Sequence, residues 1–266
     1  MSRYGHGVLP PGTTTLMSHA SKSPVAGINS VRSALKFGAD GVAELWLDRR
    51  RRDRRLLELA ELARAAGIQV RQAERDELDR AAAGANHQGA LAWVLVPAAH
   101  TEQDLDGLLS RIDGPPLLLV LDGVTDPHNL GACLRSADGA GAHAVIAPKD
   151  KAVGLTPVAV KVASGAAGSV PFVQVTNLAR TLEWLKSRGI WLIGTAGDAD
   201  GNLFETDLRG PVALVLGSEG KGLRRLTRER CDLLVRLPMI GSVESLNVSV
   251  AAGVCLYEAL RQRLRC

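Results

Sequence analysis

Four stretches of the chain place hydrogen-bonding side chains and glycines where strands give way to helices. In residues 236–249, a short apolar strand over 233–237 is ended by Pro238, which has no N–H to give a sheet. A polar turn over 241–245 follows, and from Ser245 the apolar pattern becomes helical to about Arg263. Ser245 and Asn247 therefore stand at a helix start, where hydroxyl and amide side chains cap free backbone N–H groups. The same N–H groups also suit a ligand, and this stretch alone leaves both readings open. Residues 216–222 carry Gly217, Gly220 and Gly222 around Glu219, and such glycines let backbone approach a ligand closely. Residues 194–197 read Gly194-Thr195-Ala196-Gly197. Residues 122–131 run Asp122-Gly123-Val124-Thr125-Asp126-Pro127-His128-Asn129-Leu130-Gly131 into a helix carrying Arg135. Asn129 and Arg135 do not share a helical face; with Asn129 at the helix start, Arg135 points from the next turns toward a neighbouring loop. A capped helix with a surface arginine is the plainer alternative.

Two common chemistries of glycine-rich loops are disfavoured. A phosphate loop ending at Gly220-Lys221 needs a glycine at 215 and a serine or threonine at 222, where the chain has Val215 and Gly222. No Gly-x-Gly-x-x-Gly follows a strand and opens a helix, so a classical dinucleotide enzyme is also disfavoured. Cys133, Cys231, Cys255 and Cys266 lie far apart with no Cys-x-x-Cys pair, which argues against zinc and disulfides and for a reducing compartment.

The basic residues gather near the start. Residues 1–100 hold 14 Lys+Arg against 10 Asp+Glu, and the remainder is balanced, so the whole net charge of +4 sits there. A polyanion partner fits that surplus, though many soluble domains carry as much. Arg49, Arg50, Arg51 and Arg52, with Arg54 and Arg55, crowd one strand-to-helix turn, either as solvated surface or as contacts to a phosphate backbone. His87 and Gln88, in the loop before a strand, read as surface residues or as hydrogen-bonding partners of RNA bases and 2′-hydroxyls. No apolar run approaches a membrane span, and the first 23 residues lack a signal-peptide core, so a soluble cytoplasmic protein is expected.

These residues need elements to hold them. The 266 residues, 46% hydrophobic, are enough for two domains. Residues 1–23 read as a disordered tail. Residues 24–97 read as a small α/β domain, with helices at 29–37, 54–66 and 75–83 and strands at 43–47, 68–72 and 90–96. A linker over 98–116 holds a short helix, 102–112, closed by Gly114-Pro115-Pro116. In 117–266, strands are expected at 117–121, 144–147, 171–175, 190–194, 212–216 and 233–237. Helices are expected at 129–140, 156–167, 177–188, 222–229 and 246–263. Such alternation predicts a mostly parallel sheet covered on both faces, with ligands beyond the carboxyl ends of its strands.

Residues 126–135, then 216–220, then Pro238-Met239 with Ser245-Leu246-Asn247-Val248-Ser249, resemble in order and spacing the three motifs of the SpoU-type RNA ribose 2′-O-methyltransferases of the SPOUT superfamily. The resemblance spans 24–266. It is strongest to the branch that methylates a guanosine ribose in large-subunit ribosomal RNA, with transfer RNA as the alternative substrate and a non-catalytic RNA-binding assembly factor as the other class. It implies S-adenosylmethionine as donor, a homodimer and a C-terminal trefoil knot, and gives 24–97 as a ribosomal-protein-like RNA-binding domain. Carried over residue by residue, it puts Thr195, Gly197, Gly217, Leu237, Met239 and Leu246 around the cofactor, and Asn129, Arg135, Glu219, Ser245 and Asn247 at the reacting site. The sulfonium of the donor carries its own electrophilic methyl, so no metal is required. Charge builds on the ribose oxygen during attack; a cation and hydrogen-bond donors stabilise it. Arg135 suits that role, oriented by Glu219, while Ser245 and Asn247 hold the ribose or the methionine carboxylate. The partner implied is ribosomal RNA or a ribosomal-subunit precursor.

Overall fold

The computed structural model describes residues 20–51 and 53–264. Residues 1–19, most of the expected tail, and Arg52 of the arginine run lie outside the described residues.

The first layer is a four-stranded sheet. Its strands are β1 (Ser21–Ala26), β2 (Val42–Asp48), β3 (Gln69–Ala73) and β4 (Ala90–Val96), in the order β1-β4-β2-β3. The β1–β4 and β2–β4 pairs are antiparallel and β2–β3 is parallel. Order therefore begins before Pro24: Lys22 and Ser23 pair with Leu95 and Val94, and Pro24 is tolerated because β1 is an edge strand. Helices α1 (Ile28–Phe37) and α2 (Arg54–Ala65) cover one face, burying Val31, Leu35, Leu56 and Leu59 against Leu45, Leu47 and Ala92. Asp53 caps α2 by accepting the Leu56 N–H. Helix α3 (Arg75–Ala82) covers part of the other face through Leu78 and Ala82.

The second layer is an eight-stranded sheet in which every pair is parallel. Its strands are β5 (His100–Thr101), β6 (Leu117–Asp122), β7 (Ala144–Pro148), β8 (Phe172–Val175), β9 (Trp191–Thr195), β10 (Gly201–Asn202), β11 (Val212–Gly217) and β12 (Leu233–Arg236). Their order is β10-β12-β9-β11-β6-β7-β8-β5. Its central strands are apolar runs because both faces are covered; all six residues of β6 are buried. One face carries α5 (Pro127–Gly139), α6 (Pro157–Ala163), α7 (Ala166–Ser169) and α10 (Val248–Arg263). The other carries α4 (Leu105–Leu109), α8 (Leu178–Ser187) and α9 (Arg225–Arg230).

Several sequence expectations change. Residues 98–116 are not a free linker: β5 extends the large sheet beside β8, and Leu105 of α4 is buried in its core. The helix expected over 156–167 breaks between α6 and α7, where Ser164 and Gly165 both take positive φ. The helix expected from 222 begins at Arg225, after Gly222 turns the chain with φ +64°. The last helix begins at Val248, and its cap is Asn247 alone; Ser245 lies two residues upstream of the cap, exposed.

The two layers touch through α6, which packs on β1 and β4, and through a hydrogen bond from Lys161 Nζ to Ser33 Oγ. Between them lies a cleft of about 630 Å³, lined by Val25, Ala34 and Leu95 on one side and Val158, Val162 and Ser164 on the other. Among the described residues no helix is long and apolar enough to cross a membrane.

Candidate active site

The expected site residues converge on the carboxyl ends of adjacent strands. Thr195 ends β9, Gly217 ends β11, Leu237 follows β12, and Asp122 ends β6. Because the strands are parallel, the loops leaving these ends all open on one edge of the sheet.

The loop after β11 is a tight hairpin. Ser218 and Gly222 exchange backbone hydrogen bonds of 3.1 and 2.9 Å, and Gly220 and Gly222 supply the positive φ that the turn requires. Gly217 is needed for a reason the sequence did not reveal. A Cβ there would stand 2.0 Å from the carbonyl carbon of Gly222, so the glycine admits the hairpin's own returning strand. Glu219 is held out near the tip.

Two asparagines meet Glu219 there. Asn129 lies in the first turn of α5, after the Asp126 cap and Pro127. Its Nδ2 donates to Glu219 Oε1 at 3.0 Å. Asn247 Nδ2 donates to the same oxygen at 2.5 Å and lies 3.0 Å from Asn129 Oδ1. Asn247 Oδ1 meanwhile accepts Ser249 N at 2.9 Å and Ser249 Oγ at 2.6 Å, so its amide orientation is fixed by the start of α10. One side chain thus caps α10 and contacts Glu219 at the same time. The second oxygen of Glu219 receives no hydrogen bond among the described residues, so a carboxylate acceptor stands free at the centre of the cluster.

Arg135 meets a different neighbour. It is exposed on α5, and its Nη1 donates to Ser164 Oγ at 3.5 Å, in the break between α6 and α7. Glu219 is engaged by the asparagines, so Ser164, and not Glu219, is the side chain that meets the guanidinium. Asp126 opens α5; its carboxyl is held below the usual range by the His128 backbone N–H and then by the His128 side chain.

The residues expected around the cofactor come from other segments. Leu237, Met239 and Leu246 are half-buried, and nothing approaches within 4 Å of a Cβ built on Gly197. The Ala196 N–H donates to the Val235 carbonyl at 2.9 Å, so the loop after β9 runs beside the end of β12, which leads to Leu237.

In the first layer, His87 is not available to RNA bases. It is 7% exposed; its Nδ1 accepts the Gly89 N–H at 3.0 Å, which leaves Nε2 as the protonated nitrogen facing Asp79 Oδ1, also at 3.0 Å. Gln88 takes φ +50°, accepts the Ile28 N–H with its side chain at 3.3 Å, and accepts Arg51 Nη1 with its carbonyl at 2.8 Å. Both residues close the turn before β4. Arg49 and Arg50 project from the surface but share Glu74, at 2.5 and 3.5 Å, and Arg51 pairs with Asp53 at 2.7 Å.

Sequence reasoning also missed Asp122 and Arg224. Asp122 is fully buried, and it accepts the Arg224 backbone N–H at 2.8 Å. Its signal was a lone carboxylate closing an otherwise apolar strand immediately before a glycine.

Comparisons with known proteins agree with this geometry. Residues 116–257 match the SpoU rRNA Methylase family, and residues 24–94 match the family described as RNA 2'-O ribose methyltransferase substrate binding. The chain is 56% identical over 237 residues to the 23S rRNA (guanosine-2'-O-)-methyltransferase RlmB of Ralstonia nicotianae, covering 89% of this chain and 94% of that one. It is 57% identical over 239 residues to the protein of the same name from Pseudomonas syringae, covering 90% and 95%. Among solved structures, the SpoU methyltransferase AviRb from Streptomyces viridochromogenes in complex with AdoMet superposes with a TM-score of 0.63 and 30% identity, covering 91% of each chain. With both layers matched and the three motif segments gathered at one sheet edge, the chain belongs to the SpoU rRNA methylase family.

Proposed function

We propose that this protein transfers a methyl group from S-adenosylmethionine to the ribose 2′-hydroxyl of a guanosine in 23S ribosomal RNA. The observation that carries the proposal is the cluster of Asn129, Glu219 and Asn247, drawn from three distant segments to the edge where the cofactor residues also end. S-adenosylmethionine supplies the electrophilic methyl. The chain supplies the surroundings. Leu237, Met239 and Leu246, with the backbone of 195–197, hold the adenosyl group. The free oxygen of Glu219 and the amide of Asn129 fix the ribose hydroxyl in line for attack. Arg135, exposed beside Ser164, stabilises the negative charge that develops on the ribose oxygen. Ser245, exposed upstream of the Asn247 cap, is assigned to the donor or the ribose.

The substrate class rests on the match to RNA 2'-O ribose methyltransferase substrate-binding domains over 24–94 and on ribosomal-RNA relatives that cover both layers. Arg49 and Arg50 are assigned to the phosphates of the RNA; both side chains are largely exposed at the turn after β2. The site works in a homodimer. Ile240, Val243, Val250 and Tyr257 are 50–99% exposed along the segment that carries Asn247, and a second copy would cover them. A C-terminal trefoil knot is part of the proposal; the insertion of β12 between β9 and β10 supports a chain that passes back between earlier segments. A ribosomal-RNA substrate supports a cytoplasmic location.

Mapping ribose methylation across 23S RNA from cells with and without the gene tests the proposal. One guanosine should lose its 2′-methyl and regain it on complementation. An unchanged map, with a change confined to transfer RNA, would reject the ribosomal substrate.

A further inference from the structure

We propose that Asp122 and Arg224 form a positioning clamp that sets the Glu219 hairpin over Asn129 and Asn247, an inference that rests on the reading of Glu219 given above. Both feet of the hairpin are tied to Asp122. The leaving foot, Gly217, is its backbone partner in the β11–β6 ladder. The returning foot, Arg224, donates its backbone N–H to Asp122 Oδ2 at 2.8 Å. The hairpin spans only the residues between these ties, so the height and tilt of Glu219 follow from where Asp122 sits.

The side chain of Arg224 extends the clamp. Its Nε is 3.4 Å from Asp122 Oδ1, an oxygen that is buried and receives no hydrogen bond among the described residues. Its Nη2 donates to the Lys151 carbonyl at 3.3 Å, in the loop after β7. It also lies over Gly123, where a Cβ would come within 3.1 Å of Nη2; a side chain at 123 would push the guanidinium away. One arginine thus joins the loops after β6, β7 and β11, the first of which leads to Asn129 and the last of which carries Glu219. A fully buried carboxylate is costly unless a partner compensates it. Its position, between two loops of the reacting site and away from both reacting groups, is what a positioning role requires.

The test is a double-mutant cycle on single-turnover methyl transfer with donor and RNA saturating. Asp122→Asn keeps the shape but turns an amide toward Arg224, and should slow transfer on the order of a hundredfold, the usual consequence of a displacement near 1 Å. In a Glu219→Ala background the same change should cost less than about threefold, because the residue being positioned is gone. A merely structural Asp122 would cost the same factor in both backgrounds, and that result overturns the clamp while leaving the site reading intact. Glu219→Ala at the wild-type rate overturns both. If Asp122→Asn does not fold, as judged by circular dichroism, Arg224→Ala takes its place in the same cycle. It keeps the backbone tie, should slow transfer tenfold or more only when Glu219 is present, and should be partly restored by Arg224→Lys. Equal losses with and without Glu219 again reject the proposal.

Discussion

Gly217→Ala is the sharpest probe of the hairpin. One methyl group is added at a position where its carbon would sit 2.0 Å from Gly222 C, 2.3 Å from Gly222 O and 2.3 Å from Leu223 N. All three are backbone atoms, so no side chain can swing aside. The returning strand must retreat by roughly 1.5 Å to reach ordinary contact. That opens the Ser218–Gly222 pair and drags Glu219, two residues from the new methyl, off Asn129 and Asn247. Overpacking of this kind typically costs about 1–3 kcal/mol in stability. The displacement should cost turnover about a hundredfold. Gly220→Ala is the control: no atom lies within 4 Å of a Cβ there, so only the left-handed backbone, φ +75°, resists the change, at about 1 kcal/mol. Thermal melting and single-turnover transfer read the two effects. Wild-type turnover in Gly217→Ala, or a larger loss in Gly220→Ala, would refute this account of the hairpin.

Four other outcomes are expected. Arg135→Ala should lower single-turnover transfer about a hundredfold with donor and RNA binding nearly unchanged, and Arg135→Lys should restore only part; a rate within about threefold of wild type would leave the arginine a surface residue. Replacing Arg49 and Arg50 by alanine should weaken RNA binding and flatten its salt dependence by about one unit of slope for each phosphate no longer neutralised, without altering donor affinity in calorimetry. The thiols of Cys133 and Cys255 are pushed up to about 12 by burial, and that of Cys231 to about 12 by burial and then Asp232. None of these three should therefore react with an alkylating reagent at pH 8 until urea unfolds the chain, and rapid labelling of any of them, read by mass spectrometry, would contradict the packing. Arg263→Ala should lower the melting temperature, since it removes donors to the carbonyls of Leu208, Pro115, Pro116 and Gly210 at 2.6–3.1 Å, a loss of about 2 kcal/mol or more.

The long elements were legible because their patterns are local. Residues 90–96 form β4 as expected, and the apolar run of β6 needed only one more residue, Asp122. The two-residue strands β5 and β10 were not legible, since a bridge of that length exists only through the strand beside it. The break after Ala163 had a signal in Gly165, but the run of small residues around it reads as helix. The site was less legible still. Asn129 and Asn247 are 118 residues apart, and no periodicity connects them; the motif resemblance brought them together before the fold did. The same resemblance did not show that Arg135 turns to Ser164, because Ser164 belongs to the break that the helical pattern concealed. His87 looked like a loop residue in the sequence, where nothing reveals that Gly89 and Asp79 occupy both ring nitrogens.

The order β10-β12-β9 has a consequence for how the protein is made. Among the described residues β10 pairs with β12 alone, so although it is synthesised earlier its sheet partner arrives only with residues 233–236. Leu237, Met239, Leu246 and Asn247 follow immediately after. A chain that stops short of this point lacks β12, the neighbour of both β9 and β10, and the residues proposed above for the cofactor and the reacting site. On the site proposed above, methyl transfer therefore requires a chain made at least through Asn247.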